Sequence, residues 1–481
     1  MRGGLLAAAG VAALIVGGAA QAETLREVLI QTYNSNPTIM AQRAQIRSLD
    51  ESVAVARAQG RPQVAGVAGV NQNIIRRGAA PGRSVNAGVD LSYDVFNGGR
   101  VRNSIRAANE RVLAGRANLR ATEGDIFTEA VAAYMDVIRD RSIVTLNRNQ
   151  VRVLDTNLQA TQDRFEVGDL TRTDVAQSEA RRALAQSALA TAEGRLEGSE
   201  ENFRRVVGAL PDELDPPPPL PPLPGTPQQA EDIALSNNSD LQSVAAQIRA
   251  AGRDIAIARA DRLPTVSGVS SSDYINYLGS APTGLSSSAT SASVGVQARI
   301  PIYQGGLVGA RVRQLQAAQS QVLERGIEIE RLVVANTRAA YASYQAAQEA
   351  IESNQIAVNA NTLALEGTRA EQTVGTRNVL DVLNAEQELL NSQVALVTAR
   401  RDAYVAGFQL LNAMGRAEAE DLNLDGGALY DPVANYNRVS RRWSDWADDP
   451  APEPVSTRTV TGAGISPVAR PVNTPVTAPE N

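Results

Sequence analysis

One pattern is written twice in this chain, and both copies are long. Val95-Phe96-Asn97-Gly98-Gly99 returns as Ile302-Tyr303-Gln304-Gly305-Gly306, with Gly305 lying 207 positions after Gly98. Val167-Gly168 followed by Asp174-Val175 returns as Val374-Gly375 followed by Asp381-Val382, again 207 positions on. Upstream, Asn36-Pro37 and Arg61-Pro62-Gln63-Val64 correspond to Asn238-Ser239 and Leu263-Pro264-Thr265-Val266 at an offset of 202, so a five-residue change in length falls in one loop between Val64 and Val89. Self-similarity at a fixed offset identifies the building unit. A unit this long makes a duplicated half-molecule, not a short-repeat solenoid.

Each copy contains a helical rod. From Gly99 to Gly168 there is no proline, and only Gly115 and Gly124 interrupt a pattern in which Ile126, Ala130, Ala133, Val137, Ile143, Leu146 and Val153 recur at helical spacing. The second copy repeats this from Gly306 to Gly375. At ~1.5 Å per residue, about 65 residues make a rod of roughly 100 Å. Few globular domains accommodate such a helix. After each Val-Gly turn a second helical stretch follows, from Thr171 to about Val207 and from Asn378 to about Met414. A shorter arm in two pieces precedes the strands, Thr24 to Gln59 and Pro227 to Asp261.

Strands are expected where the helices stop. Val85, Ala87, Val89, Leu91, Tyr93 and Val95 alternate with Asn86, Gly88, Asp90, Ser92 and Asp94; Val294, Val296, Ala298, Ile300 and Ile302 alternate with Ser293, Gly295, Gln297 and Arg299. About ten residues of period-two alternation are what a tilted transmembrane β-strand requires. Weaker partner strands begin at Val64 and Val266, joined to the strong ones by loops at Arg76 to Arg83 and Gly279 to Ser291. A soluble hairpin covering a core has a similar pattern. Four strands cannot close a barrel, and an open edge in lipid leaves backbone groups unsatisfied. Strands in a membrane would therefore require several chains per barrel: eight close with a filled interior, twelve leave a passage. Phe96 and Tyr303 fit an interfacial aromatic girdle at the strand ends.

Composition removes most chemistry. The 481 residues include no histidine and no cysteine. A zinc site, a Ser-His-Asp triad, thiol chemistry and an acylated cysteine are all excluded, and no cofactor or metal is called for. The chain is not read as an enzyme. A net charge of −6 argues against a nucleic-acid partner. Apolar residues make up 43 % but aromatics only 4 %, which predicts small side chains packed between long elements and no bulky central core.

The flanks are distinct. Arg2, an apolar run from Leu5 to Val16 and Ala20-Gln21-Ala22 before Glu23 read as a secretory signal peptide over residues 1–22. The run is too short to span a bilayer comfortably. The first structural repeat covers 23–211 and the second 227–420. Between them, residues 212–226 include Asp215-Pro216-Pro217-Pro218-Pro219-Leu220-Pro221-Pro222-Leu223-Pro224, a semi-rigid polyproline strap. Residues 421–481 form a tail whose last ~30 residues have the composition of disorder.

The doubled half-molecule, the Phe-Asn-Gly-Gly and Tyr-Gln-Gly-Gly junctions and the two Val-Gly-(x5)-Asp-Val turns resemble the TolC family of outer-membrane efflux and secretion ducts over essentially Thr24 to Met414. The resemblance implies a mixed α/β membrane protein: four transmembrane β-strands per chain closing a twelve-strand barrel as a homotrimer in the outer membrane of a Gram-negative cell, continued by a long α-helical barrel in the periplasm. It also implies partners, a periplasmic membrane-fusion adaptor and an inner-membrane ABC or proton-driven transporter. The segment from Tyr430-Asp431-Pro432 to Trp446 looks like that of members serving type I protein secretion; small-molecule efflux is the alternative.

By the same resemblance, Gly98, Gly99, Gly305 and Gly306 are strand-to-helix junctions, Gly168 and Gly375 are adaptor-contact turns, and Thr173, Asp174, Arg377 and Asp381 are the periplasmic aperture. Three copies of Asp381 around a threefold axis would make a cation-favouring ring, and Arg377 would bridge to Asp174 or Thr173. Against this, Thr171-x-x-Asp174 and Asn378-x-x-Asp381 are each a helix cap with an acid three residues later. Two positions depart from the family: its aperture tyrosine falls on Gln372 and its second acidic ring on Asn384. A soluble periplasmic coiled-coil scaffold remains a reading of a different class.

Overall fold

The computed structural model describes residues 22–74, 82–278, 286–424 and 429–458. All but the last residue of the predicted signal peptide, most of both strand-connecting loops and most of the predicted disordered end lie outside them. The element order repeats as the sequence does. In the first half α1 (Leu25–Ser35) and α2 (Pro37–Ala58) lead into β1 (Gln63–Gln72), β2 (Arg83–Phe96), α3 (Arg100–Glu166) and α4 (Arg172–Val207). In the second, α5 (Pro227–Asn237) and α6 (Ser239–Ala260) lead into β3 (Thr265–Tyr277), β4 (Ser288–Arg299), α7 (Leu307–Thr373) and α8 (Val379–Ala413). A short α9 (Ala434–Val439) follows.

Both long helices, α3 and α7, have 67 residues, about 100 Å at the α-helical rise. Each is launched from a pair of glycines. Gly98 and Gly99 have φ of 63° and 79°, and Gly305 and Gly306 have 62° and 81°. Two successive residues with positive φ turn a strand sharply into a helix, a conformation that glycine alone adopts at little cost. At Gly98 space matters too, since a Cβ would lie 2.9 Å from Leu263 Cβ and 3.1 Å from the Ala260 carbonyl oxygen.

The four strands form one antiparallel sheet in the order β1-β2-β3-β4. Within the chain β1 and β4 are its edges. The register sorts the side chains: Val64, Val70, Val85, Val89, Leu91, Tyr93, Val294 and Val296 fall on one face. Asn71, Asn86, Asp90, Asp94, Asp273, Gln297 and Arg299 fall on the other. On that polar face Asn71 donates to Asn86 (3.2 Å), Ser267 to Asp94 (2.7 Å), and Ser271 pairs with Ser293 (2.9 Å). On the opposite face Val64, Val70, Val89, Val294 and Val296 are exposed. Among the described residues no helix packs against either face as a core would.

The alternation expected through Ile300 and Ile302 stops early, because β4 ends at Arg299. Pro301 supplies no N–H for a ladder bond and restricts Ile300 before it. Tyr303 therefore stands beyond the strand, whereas Phe96 is the last residue of β2.

The expectation of no bulky core is also corrected. Tyr33, Phe127, Tyr134, Phe203, Tyr341 and Phe408 are buried in one cluster where α1, α3, α4, α5, α7 and α8 meet. Few aromatics suffice because they are concentrated there; three of the five phenylalanines are in this cluster. The proline-rich strap runs beside it. Tyr134 Oη lies 2.5 Å from the Asp215 carbonyl oxygen, and Tyr341 Oη donates to Gly225 (2.8 Å). Leu220 approaches α8 so closely that a Cβ on Gly407 would lie 2.3 Å from its Cδ1.

The tail is more ordered than its composition suggests. Residues 429–449 lie along α2, where Val439 and Ser440 are buried. Arg57 donates to the Ser440 carbonyl (2.7 Å), Asn435 donates to Asp50 (2.9 Å), and the Arg43 guanidinium sits between the rings of Tyr33 and Tyr430, 4.0 and 5.0 Å from their centroids. Polar and cation–π contacts do here what apolar burial does elsewhere.

Candidate functional site: the hairpin turns and the seam behind them

The two turns that end the long helices are built alike. After α3, Gly168 N–H donates to the Phe165 carbonyl (2.9 Å) and Asp169 N–H to that of Arg164 (2.9 Å). After α7, Gly375 donates to Gln372 (3.0 Å) and Thr376 to Glu371 (3.0 Å). Each is a Schellman motif, with glycine at φ of 81° or 80° in the left-handed position. A capping box follows at once. Thr171 Oγ1 and N–H both engage Asp174 (2.7 and 2.9 Å), and Asn378 accepts from Asp381 N–H (2.8 Å) while its own N–H donates to the Asp381 carboxylate (3.3 Å). The Val-Gly-(x5)-Asp-Val motif is thus a helix stop followed by a helix start. The Thr171 hydroxyl, then its backbone N–H, hold the Asp174 carboxyl below the usual carboxylate range.

The predicted aperture residues are divided between the two turns, Thr173 and Asp174 at the first and Arg377 and Asp381 at the second, and among the described residues no hydrogen bond or ion pair joins one set to the other. Arg377 pairs with Glu371 (2.9 Å), not with Asp174 or Thr173. The first turn has the same device in Arg164–Asp169 (2.5 Å). Each turn closes on its own ion pair because donor and acceptor are only five or six residues apart. Thr173 is exposed in the first turn of α4, Gln372 is half-buried and Asn384 is exposed. Val167 and Val374 at the turns are exposed. Both glycine turns thus present an apolar residue outward, with open space around each glycine.

Behind the turns lies a contact the sequence reading missed. Glu386 of α8 is 3 % exposed. Its carboxylate accepts from Asn157 Nδ2 of α3 at 3.0 and 3.1 Å and from Arg369 Nη2 of α7 at 3.0 Å. Beside it, Arg181 of α4 donates to Asn384 of α8 (2.7 Å). A local signal was available: Glu386 interrupts the apolar stripe Val382, Leu383, Leu390 of α8, where a charge needs partners. Its partner 229 residues away had none.

Among the described residues no cluster of acidic side chains could hold a metal ion, and no helix is long and apolar enough to cross a membrane. A duplicated chain with a two-faced sheet, 67-residue helices and paired glycine turns matches one family model, described as outer membrane efflux protein, over residues 28–209 and 231–416. The chain belongs to the outer membrane efflux protein family. It is 35 % identical to the outer membrane efflux protein BepC of Brucella suis biovar 1, over 89 % of this chain and 93 % of BepC. It is 27 % identical to the alkaline protease secretion protein AprF of Pseudomonas aeruginosa, over 75 % of this chain and 74 % of AprF. The fold matches the crystal structure of the Campylobacter jejuni CmeC outer membrane channel with a TM-score of 0.73, covering 87 % of this chain and 89 % of that one at 15 % identity. The TolC-family resemblance is borne out. The protein is an outer-membrane channel component that extends into the periplasm, and it is not an enzyme.

Proposed function

We propose that three copies of the chain form one exit duct for type I protein secretion: twelve strands close a barrel in the outer membrane and the long hairpins close a tube in the periplasm. The observation that carries the trimer is the sheet. It has two free edges, an apolar face exposed to the outside and a polar face with its own hydrogen bonds. A lipid-facing sheet must close to satisfy its edges, and twelve strands leave a passage where eight fill it. The turns at Gly168 and Gly375, each with an exposed valine, meet a periplasmic adaptor fed by an inner-membrane transporter.

The aperture is lined by Thr173, Asp174, Arg377 and Asp381. Capping does not remove Asp381 from the rim; three copies place three carboxylates around one axis, which favours cations. Arg377 held by Glu371 is available to a neighbouring chain only when that exposed pair exchanges, and exposed pairs contribute little.

Secretion is supported by the docked segment from Tyr430 to Trp446, which resembles that of secretion-serving members, and by the likeness to AprF. Efflux of small molecules is the second reading, favoured by the higher identity to BepC over more of the chain. Deleting the gene and comparing culture supernatants and drug tolerance separates them. Loss of one or a few abundant secreted proteins with drug tolerance intact supports secretion; an unchanged supernatant with heightened drug sensitivity makes it an efflux duct.

A further inference from the structure

We propose that the tail carries a tryptophan-tipped loop, Trp443 to Trp446, that lies in the phospholipid headgroups of the periplasmic leaflet and gives the chain a hold on the outer membrane besides its strands. The inference rests on the barrel reading, because the strands fix where the membrane begins.

The contacts between the tail and α2 ascend in step. Tyr430 N–H donates to Tyr33 Oη just before α2 (3.0 Å), Asn435 to Asp50 (2.9 Å) and Arg57 to the Ser440 carbonyl (2.7 Å). Arg61, beyond the end of α2, donates to the Arg442 carbonyl (2.5 Å). The tail therefore climbs parallel to α2, which leads into β1 at Gln63. At this end of the sheet stand Phe96, the last residue of β2, and Tyr303, just past β4, both exposed. The Arg61 guanidinium also lies over the Trp443 ring, 4.4 Å from its centroid. A backbone bond and a cation–π contact thus fix the tail level with the first strand. Past Trp443 the chain turns back. Asp449 accepts from both Nη atoms of Arg438 at 2.8 Å, and Thr457 Oγ1 would lie 2.7 Å from a Cβ on Gly208, beside Ser35 at the foot of α2. Trp446 is at the apex of this braced loop.

The chemistry of the apex suits an interface. Trp443 and Trp446 are the only tryptophans in the chain, and they are 70 % and 95 % exposed. An indole has an apolar body and one N–H donor, which is why tryptophan concentrates at the headgroup level of membranes. From Arg438 to Asp449 three arginines are matched by three aspartates, so the loop is neutral and its hold comes from the rings, not from attraction to anionic lipid. The Arg438 brace orders the loop beforehand, which lowers the entropy lost when the rings enter the interface.

The test is tryptophan fluorescence of the full-length protein in liposomes of phosphatidylethanolamine and phosphatidylglycerol, where the two native tryptophans report on this loop alone. Lipid brominated next to the headgroup should quench the emission by about half, and lipid brominated at the chain ends should quench less, as for rings held at the interface. W446F should remove more of the lipid-quenched emission than W443F, because Arg61 already covers one face of Trp443. Emission quenched by aqueous acrylamide and untouched by brominated lipid overturns the proposal. Emission shielded from both overturns it too, and places the rings against another copy of the chain. A Val89→Trp substitution on the exposed apolar face of β2, made in a W443F/W446F background, separates this proposal from the barrel reading. Bromine quenching there, with none at the native tryptophans, removes the anchor and keeps the barrel. Quenching at neither strikes at the barrel reading, and at the anchor with it.

Discussion

The two halves of the molecule have the same elements at nearly the same lengths, yet they bury themselves in opposite ways. The long helix α3 buries 23 of its 67 residues, whereas α7, equally long, buries six. The shorter helices reverse this: α8 buries 14 of 35 and α4 five of 36. The seam of the chain therefore runs between α3 and α8, while α4 and α7 turn away from it. On α7 the large apolar residues Leu307, Leu323, Ile327, Leu332, Ile356 and Leu363 are exposed. Duplication preserved the shape of each half and diverged in which face its own chain covers. Exposed apolar residues of this kind suit an interface, and in the proposed trimer the uncovered face of α7 is where a neighbouring copy would fit.

The contrast can be broken most decisively on α7. Placing carboxylates at exposed apolar positions, as in I356D/L363D, should abolish trimer assembly as read by size-exclusion chromatography with light scattering. A trimer formed at normal yield would show that this face is not the one neighbours cover.

A pair of equivalent positions sharpens the comparison next. Phe127 is fully buried on α3, and its counterpart 207 residues later, Val334 on α7, is half-buried. F127A should lower stability by about 3–5 kcal/mol and V334A by about 1 kcal/mol or less, measured as shifts in denaturation midpoint. Equal losses would mean the halves share their core more evenly than the burial indicates.

The core also titrates. Burial on α3, partly offset by Arg43 and Arg120 and reinforced by Glu418, pushes Glu123 up to about 7. A carboxyl raised in the folded state is protonated there before it is in the unfolded chain. Its penalty is thus fully present above about pH 7 and fades as pH falls toward 4.5. E123Q should raise the melting temperature at pH 8 and have little effect at pH 5. An equal shift at both pH values would rule out this titration.

The smallest effect should be the most symmetric. G168A and G375A each put a Cβ at a φ near 80° with open space around it, so the cost is conformational, about 1 kcal/mol in each half. A difference between the two would reveal that one turn is held by more than its Schellman bonds.

The features legible in the sequence were those with a local physical signature. Gly-Gly pairs, Val-Gly stops and Thr171 or Asn378 caps fix their own backbone, so both long helices begin and end within a residue or two of where the sequence put them. What escaped depends on residues distant in the chain. Asn157 and Glu386 are unremarkable alone and become a contact only once α3 lies on α8. The family resemblance points Arg377 to Asp174 or Thr173 across the tip, whereas within the chain it pairs with Glu371, six residues before it; a single ion pair has no period to read. The tail's proline, charge and scattered tryptophan signalled disorder over its end, yet the arginines along α2 that hold residues 429–449 were already in view without a reason to pair them.

The equal length of α3 and α7 has a consequence for how this chain can vary. One residue added to either alone would lift its turn by about 1.5 Å and swing it by about 100°, so one hairpin's valine would protrude from the rim while the other's stayed level. Three such chains would present a tilted, uneven collar to whatever docks there. Length is consequently a property the two halves must change in step: an insertion survives in one copy only if an equal one arises in the other. No net gap separates Gly99–Gly168 from Gly306–Gly375, whereas the five-residue difference falls in the strand hairpins: the connecting segments 73–82 and 278–287 are equally long, not unequal as the sequence led one to expect, and β3 with 13 residues runs on further than β1 with 10.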